Sequence, residues 1–582
     1  MPIDINETIR LLALKNALKH DGKARISAVL GMFLSTHKEY RSKVKEIREL
    51  IDKTVQEINN LSDAELEALS SQLSPEIMKS KVEEQTKELP PLPNVENYDK
   101  VVMRLAPYPS GPLHIGNARM VILNDYYVKR YAGKLFLVFD DTIGSAIKDI
   151  FPESYRMIKE DLKYLDVEYH ESIYKSDRVK TFYKYCEKLI EMNQAYVCTC
   201  EAEKWREKHK KTQIPCKHRS SSKDQNLEQW RKMLDGIYNE GDAVVRLKTG
   251  MKLDNPAIRD HVIMRISNKI HPRVGEKYKV WPLLEFSWAI DDHLLGITHI
   301  IRGKDLLKED IIESKIWEIF DWPKAEFIHY GLISFKGLNL SKTEARLNIE
   351  KGVYRDWTDP RTWSIQSLKK RGILSESIRE LIDELGLSLA DIKLSPKKLY
   401  SINRSKIDSI ADRYFFISTP KTLTIKNINK KELKAEVFSH PDFPERGERI
   451  FTFKIVNNQI KLYIDEKDAK KLYKNQILRL KDLVNIKIID ESKNIAEIIP
   501  GGIDEFRELS EKVEERLSII HWLPTENNIK VDIILMNGKI ISGIAENNCN
   551  NLKIDDIIQF ERFGFCRIDQ TKPKILAYYS HP

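Results

Sequence analysis

The chain has 582 residues, 41% hydrophobic and 31% charged, with 96 Lys and Arg against 87 Asp and Glu for a formal charge of +9. Roughly four globular domains are expected at ~150 residues each, and a disordered, collagenous or membrane-embedded chain is excluded, since no stretch approaches the ~20 apolar residues of a membrane span. The six cysteines make no disulfide framework in so long a chain, and the acidic, helical-period N-terminus lacks signal-peptide features, so a cytoplasmic location is expected.

Residues 1–97 read as a helical appendage and linker. Apolar residues recur at three- and four-residue spacing in IRLLALKNALK and ISAVLGMFLSTH. Ser62 with Glu65 forms a capping box before LEALSSQL. Pro90, Pro91 and Pro93 then enforce an extended linker. Residues 98–356 have a different texture. VVMRLAP (101–107) is a short buried strand, YPSGP a turn, and a helix runs from near His114 to Gly133, read as its C′ residue. KLFLVFDD (134–141) is the next strand, which makes a βαβ unit and implies a parallel sheet. A second sheet-like block, WPLLEFSWAIDDHLLGITHIIRG, leads into a helix and the strand EFIHYGLIS. An insertion at about 150–270 lies between, so the spacing predicts one α/β Rossmann-type domain split in two. Residues 357–415 return to helices. Residues 416–582 hold many short alternating strands with Gly and Asn turns and read as all-β barrels.

Ligands of a parallel sheet sit at the carboxyl ends of its strands. RLAPYPSGPLHIGNARM stands at such an end. The helix starting near His114 offers free N–H groups and a positive dipole end to a phosphate, and Gly116 lets a base or ribose approach the backbone. By itself this is also what a tight structural turn would look like. In GLNLSKTEAR (337–346), Lys342 lies on a Gly- and Asn-containing loop between Ser341 and Thr343, suited to a phosphate whose charge grows during reaction. An ordinary solvated loop reads the same way.

Taken together, these two pieces resemble the HIGH and KMSKS signatures of the class I aminoacyl-tRNA synthetases. RLAPYPSGPLHIGN looks like the opening motif of the glutamyl and glutaminyl subfamily. FDDT, NPAIRDHVIMRI, WPLLEFSWAIDDHLLGITHIIRGKDLL, DPRTWSIQSLKKRGI and QFERFGFCRID resemble its archaeal-type glutamyl branch, whose anticodon-binding part is made of β-barrels. The resemblance implies that Mg-ATP and L-glutamate form glutamyl-adenylate, with Mg2+ and ATP as cofactors, and that the glutamyl group passes to the 3′ end of tRNA(Glu). It leaves open whether tRNA(Gln) is charged too, with an amidotransferase as partner. It implies ATP contacts at Pro107, His114, Gly116, Asn117, Ser341 and Lys342, with His114 and Lys342 catalytic. It implies glutamate contacts at Arg104, Asp140 and Arg302, with Arg302 selecting glutamate over glutamine. On the residues alone, a salt bridge from Arg302 to Asp291 or Asp305 is just as good a reading. The chain departs from the family at Asn117, Asn339, Val138, Ile143 and Leu284. A glutaminyl enzyme and a non-catalytic tRNA-binding paralog stay as alternatives. No membrane partner is expected, and a monomer is the default.

Cys198, Cys200, Cys216 and His218 form C-x-C, a gap of fifteen residues, then C-x-H, which can supply four tetrahedral ligands to a structural zinc. Buried thiols beside an exposed histidine are the competing reading. Similar clusters occur in some relatives, within the insertion that receives the tRNA acceptor end. Arg562, Phe563, Phe565 and Arg567 mix charge and aromatics as RNA readers do, so Arg562 and Arg567 are candidate tRNA contacts. Strand periodicity argues equally for phenylalanines in a barrel core.

Overall fold

The computed structural model describes residues 5–19, 23–37, 40, 43–61, 88–144, 149–512 and 517–582. The capping box read at Ser62 and Glu65 lies outside them. Residues 1–88 and 89–582 form two compact units. In the first, α1 (Ile5–Lys19), α2 (Ile26–Thr36) and α3 (Val44–Asn59) share one small core. Ile47, Ile51, Val55 and Ile58 recur every three or four residues and bury one stripe of α3 with Ile9, Ala13, Val29 and Phe33. Leu89 and Leu92 already belong to the core of the second unit, so the proline linker packs as part of that unit.

The second unit begins with β1 (Val102–Leu105), α4 (Ile115–Arg130), β2 (Lys134–Phe139), α5 (Ser154–Tyr164) and β3 (Glu171–Tyr174). Both β1 and β3 pair in parallel with β2. Along β2, Leu135, Leu137 and Phe139 face one core, while Phe136 and Val138 face another. That period of two with apolar residues on both sides marks a sheet covered on both faces. Helix α4 ends one residue before the sequence suggests: Ala132, not Gly133, takes the left-handed conformation at φ 46°. Gly133 is required for another reason, since a Cβ there would lie 2.5 Å from the Val101 carbonyl oxygen.

After α6 (Val179–Glu191) comes an antiparallel meander of β4 (Ala195–Cys198), β5 (Val244–Leu247), β6 (Val262–Ile266) and β7 (Val280–Pro282), with α7 (Lys223–Leu234) between the first two. Because β3 extends the parallel sheet, the inserted meander occupies 195–282 rather than 150–270. The second half of the split sheet is α8 (Leu284–Leu294), β8 (His299–Gly303), α9 (Leu307–Phe320) and β9 (Glu326–Tyr330), with β8 and β9 parallel. The halves join at Thr298. Its N–H donates to the Val102 carbonyl at 2.9 Å, and its Oγ1 accepts from the Val102 N–H at 2.9 Å. The ends of β1 and β8 thereby carry Arg104 and Arg302 toward one place.

Next come β10 (Ile333–Phe335), α10 (Lys342–Glu350), α11 (Ile365–Lys370), α12 (Ser375–Leu385), β11 (Ile392–Leu394) and α13 (Pro396–Ile407). The remainder holds two seven-stranded sheets and a two-stranded antiparallel ladder of Glu432–Phe438 with Glu448–Lys454. One runs, in spatial order, through Asp412–Tyr414, Ile557–Phe560, Gly564–Gln570, Ile575–His581, Ile529–Ile534, Ile540–Ala545 and Phe416–Ile417. The other runs through Ser518–Ile520, Ile477–Leu480, Val484–Asp490, Ile495–Ile499, Pro420–Lys426, Ile460–Asp465 and Leu523–Pro524. In each, both edge strands come from a single short segment, 412–417 or 518–524. Each sheet is therefore curled until its edges nearly meet, the barrel solution to exposed strand edges. No described helix is long and apolar enough to cross a membrane.

Candidate active site

His114 is the N-cap of α4. Its carbonyl accepts from the Asn117 N–H at 2.8 Å, and its own N–H donates to Asn117 Oδ1 at 3.2 Å. The flanking residues are clamped from α11: the Ile115 N–H donates to the Trp363 carbonyl at 3.1 Å, and Ile365 to that of Leu113 at 2.8 Å. At Gly116 a Cβ would lie 3.0 Å from the His114 ring and 3.4 Å from Leu340. Lys342 Nζ reaches the Gly111 carbonyl at 3.5 Å. The two signature segments therefore adjoin across the sheet end. Lys342 is the first residue of α10, whose N-cap Ser341 accepts from the Glu344 N–H at 3.3 Å. The lysine thus stands at a helix start rather than within a free loop. Burial and the Lys342 cation push the His114 pKa down to about 3, so its imidazole is neutral at physiological pH. Its Nδ1 is buried with no hydrogen-bond partner. Pro107 links this turn to the second strand, its carbonyl accepting from the Asp140 N–H at 3.2 Å.

Asp161 on α5 lies behind the turn and was not singled out by the sequence. It is fully buried, and its two oxygens accept from the Leu113 N–H and from Gln366 Nε2, each at 2.7 Å. Burial raises its pKa to about 7.

A second set of side chains surrounds the Trp288 indole. Arg104, Lys175 and Arg302 lie 4.8, 5.2 and 5.1 Å from its centroid. Each cation has acid partners. Arg104 donates to both carboxylate oxygens of Asp292, from Nε at 2.5 Å and from Nη2 at 2.8 Å. Lys175 Nζ lies 3.1 Å from Asp140 and donates to Ser287 Oγ at 2.7 Å. Arg302 donates from Nε to Asp310 at 3.0 Å and from Nη1 to Glu313 at 2.7 Å, with a further Nη2 bond to Asp310. Arg104, Asp140 and Arg302 are thus brought together. The acids on Arg302 are Asp310 and Glu313, not Asp291 or Asp305; Asp291 instead takes Arg178 at 2.7 Å. Sequence reasoning missed Lys175, Trp288, Asp292 and Glu313. Asp310 and Glu313 do stand three apart on α9, a spacing that puts two acids on one helix face.

In the insertion, the ligand atoms of Cys198, Cys200, Cys216 and His218 all lie within 4.8 Å of one another. Cys198 and Cys216 are 3.9 Å apart at sulfur, close to the ~3.8 Å edge of a thiolate tetrahedron with Zn–S near 2.3 Å. His218 presents Nδ1 3.4 Å from Cys200 Sγ while its Nε2 contacts Thr199 Oγ1 at 3.1 Å. A ligating histidine is commonly oriented in this way through its second nitrogen. The donor set fits zinc.

The two candidate RNA contacts in the last barrel have internal partners. Arg562 is bidentate on Asp468, both bonds 2.7 Å, and Arg567 pairs with Asp555 and, at 3.0 Å, with Asp569. Phe565 is fully buried and Phe563 packs against the barrel core. Cys186, Cys549 and Cys566 are buried packing residues.

A split parallel sheet, with a helix-start phosphate motif meeting a lysine segment at its strand ends, defines a nucleotide-binding enzyme of the α/β class. Comparison with known proteins narrows the class. The model for tRNA synthetases class I (E and Q), catalytic domain, matches residues 100–409, and two models for the anticodon-binding domain of the same family match 411–501 and 519–569. The glutamate–tRNA ligase of Methanocaldococcus jannaschii is 44% identical over 578 residues, 99% of this chain and 100% of that protein. That of Pyrococcus abyssi is 44% identical over 98% of both chains, and that of Methanothermobacter marburgensis 39% identical over 99% of this chain and 100% of its own. The chain belongs to the class I tRNA synthetases of the glutamate and glutamine family.

Proposed function

We propose that the chain is a glutamate–tRNA ligase. It would use Mg-ATP to activate L-glutamate as glutamyl-adenylate and pass the glutamyl group to the 3′ end of tRNA(Glu). What carries the reading in the geometry is the meeting of Leu340 and Lys342 with Gly111, His114 and Gly116, together with the cations gathered around the buried Trp288 indole. Adenylate formation is in-line displacement at phosphorus. It needs positioning and charge stabilisation more than a protein nucleophile. Gly116 and the start of α4 receive the nucleotide, with Pro107, Asn117 and Ser341 shaping its seat. The neutral His114 donates to a phosphate oxygen without adding charge. Lys342 stabilises the charge that grows on the phosphates in the transition state. In the adjoining pocket Arg104 and Arg302 receive the side-chain carboxylate, and Asp140 the α-ammonium.

Cys198, Cys200, Cys216 and His218 would hold a structural zinc, four protein ligands leaving no open position for water. The barrels would receive the anticodon arm, Arg562 and Arg567 exchanging acid partners for phosphates. The deciding experiment is aminoacylation of purified tRNA(Glu) and tRNA(Gln) with labelled glutamate and labelled glutamine side by side. Glutamate charging of tRNA(Glu) is expected. Charging with glutamine alone would make this a glutaminyl enzyme, and no charging at all a tRNA-binding paralog.

A further inference from the structure

Resting on that reading of the Trp288 pocket, the charges around it leave one acid to be explained. Three cations, Arg104 on β1, Lys175 after β3 and Arg302 on β8, face four carboxylates: Asp140 after β2, Asp292 on α8, and Asp310 and Glu313 on α9. His329 on β9 also faces Asp310, at 3.0 Å. With every acid ionised, these three cations and four carboxylates sum to one net negative charge. That is a poor receptor for glutamate, which brings two carboxylates and one ammonium. Glutamine, with no net charge, would meet less opposition.

Two of these acids have an oxygen without a hydrogen bond, Asp140 and Glu313, but that of Asp140 faces Lys175 Nζ at 3.1 Å, which leaves Glu313 as the place to discharge the surplus. Asp292 has both oxygens engaged by Arg104, and Asp310 serves Arg302 and His329. Glu313 is wholly buried and uses only Oε1, toward Arg302; its Oε2 is buried and accepts no hydrogen bond. A proton on Oε2 would break no existing hydrogen bond, and it would free Arg302 from a full countercharge. We propose that Glu313 is a specificity-determining residue that takes up a proton from solvent when the side-chain carboxylate of the amino acid binds beside Arg302. The incoming carboxylate then replaces Glu313 as the charged partner of the guanidinium, so that binding adds no further negative charge to the cluster. Burial raises the Glu313 pKa to about 8, against the pull of Arg302 and Arg104 and with the push of Asp292, so the exchange falls within an accessible pH range.

The linkage has a definite sign. Well below pH 8 Glu313 is already neutral, and glutamate binds without proton exchange. Above it each bound glutamate must bring a proton with it, so affinity falls toward tenfold per pH unit. The test is calorimetric titration of glutamate into the full chain, with a non-reactive ATP analogue and tRNA(Glu) present. It is run at pH 8.5 in two buffers of different ionisation enthalpy. Wild type should take up about three-quarters of a proton per glutamate, the ionised fraction half a unit above a pKa of about 8. Glu313→Gln should take up none, and its KM for glutamate should lose the rise above pH 8, with KM for ATP flat in both proteins. Glutamate binding without proton uptake in wild type overturns the inference, as does equal uptake in the variant. The wild-type measurement decides even if the variant does not fold. Absence of glutamate binding at every pH would instead remove the functional reading, and this inference with it.

Discussion

Arg302→Ala tests whether the guanidinium selects substrate or only holds its own acids. The side chain is nearly inaccessible and makes three hydrogen bonds to two carboxylates, one of them wholly buried. Removing one partner from a buried ion pair costs about 3–5 kcal/mol, because the other charge is left without compensation. A lower melting temperature is therefore expected whatever the role. The substrate role adds a separate kinetic loss. A charge-assisted pair to the glutamate carboxylate disappears, and kcat/KM for glutamate should fall at least ~100-fold, the equivalent of about 2.8 kcal/mol at 1.4 kcal/mol per decade. Glutamine should gain relative to glutamate, since it needs no countercharge. The two effects separate in Arg302→Met combined with Asp310→Asn and Glu313→Gln, which leaves no charge stranded. That variant should regain stability and not glutamate use. Thermal melts and steady-state aminoacylation with both amino acids read the outcome. If Arg302→Ala retains wild-type preference for glutamate, or the triple variant recovers it, the arginine is purely structural and selection must rest on Arg104.

Other substitutions probe the remaining parts of the site. Lys342→Ala should slow glutamate activation by about 10²–10³-fold, as for other preorganised charge donors, with tRNA affinity within a factor of about two; an unchanged activation rate would refute the phosphate role. Protein purified without chelators should contain one zinc per chain by elemental analysis and Cys216→Ser none; a metal-free, fully active wild type would mean that the four side chains merely pack together. Asp161 has a folded pKa raised to about 7 by burial, so its stabilising contribution is complete below pH 4 and is lost as pH rises through 7. Asp161→Asn cannot ionise, so its melting temperature should improve relative to wild type between pH 5 and pH 8. Parallel melting profiles would mean that Asp161 is already ionised in the folded protein by pH 5.

Much of the fold could be read from local pattern. The βαβ unit stood out because VVMRLAP and KLFLVFDD are short apolar runs that flank a helical period, and the structure pairs them in parallel. The stretch from Trp281 to Gly303 looked sheet-like throughout because both faces of α8 are buried, including Glu285, Asp291 and Asp292, which erases the amphipathic signature. The motif residues were legible for a different reason: His114, Gly116, Lys342 and the four metal-type ligands are unusual residues at unusual spacings. Their neighbours were not. Lys175, Asp161 and Glu313 are ordinary charged residues in helical or turn contexts, and sequence patterns assign such residues to the surface. Only the fold shows that they are buried, and with whom. The partners of Arg562 and Arg567 were hidden in the same way. Their mixture of charge and aromatics made them candidate tRNA contacts, and the structure gives both of them acids from elsewhere in the barrels or beside them in sequence.

The way each tail sheet is closed has a consequence during synthesis. Residues 412–417 furnish both edges of one sheet, yet its other five strands lie beyond residue 528, and the strand at its centre is Ile575–His581. At about 5–20 residues per second, those edges leave the ribosome roughly 8–30 s before the central strand does. In that interval the intervening barrel, residues 420–524, can complete itself. The earlier segment waits without its sheet neighbours, a template for wrong partners. Its brevity is then protective, since three residues on one side and two on the other offer little for a stray strand to grip. A chain stopped ten residues short would lack the centre of the sheet, not its margin. Such a product should be recognised by the cell's proteases as unfolded over this whole region rather than frayed at one end.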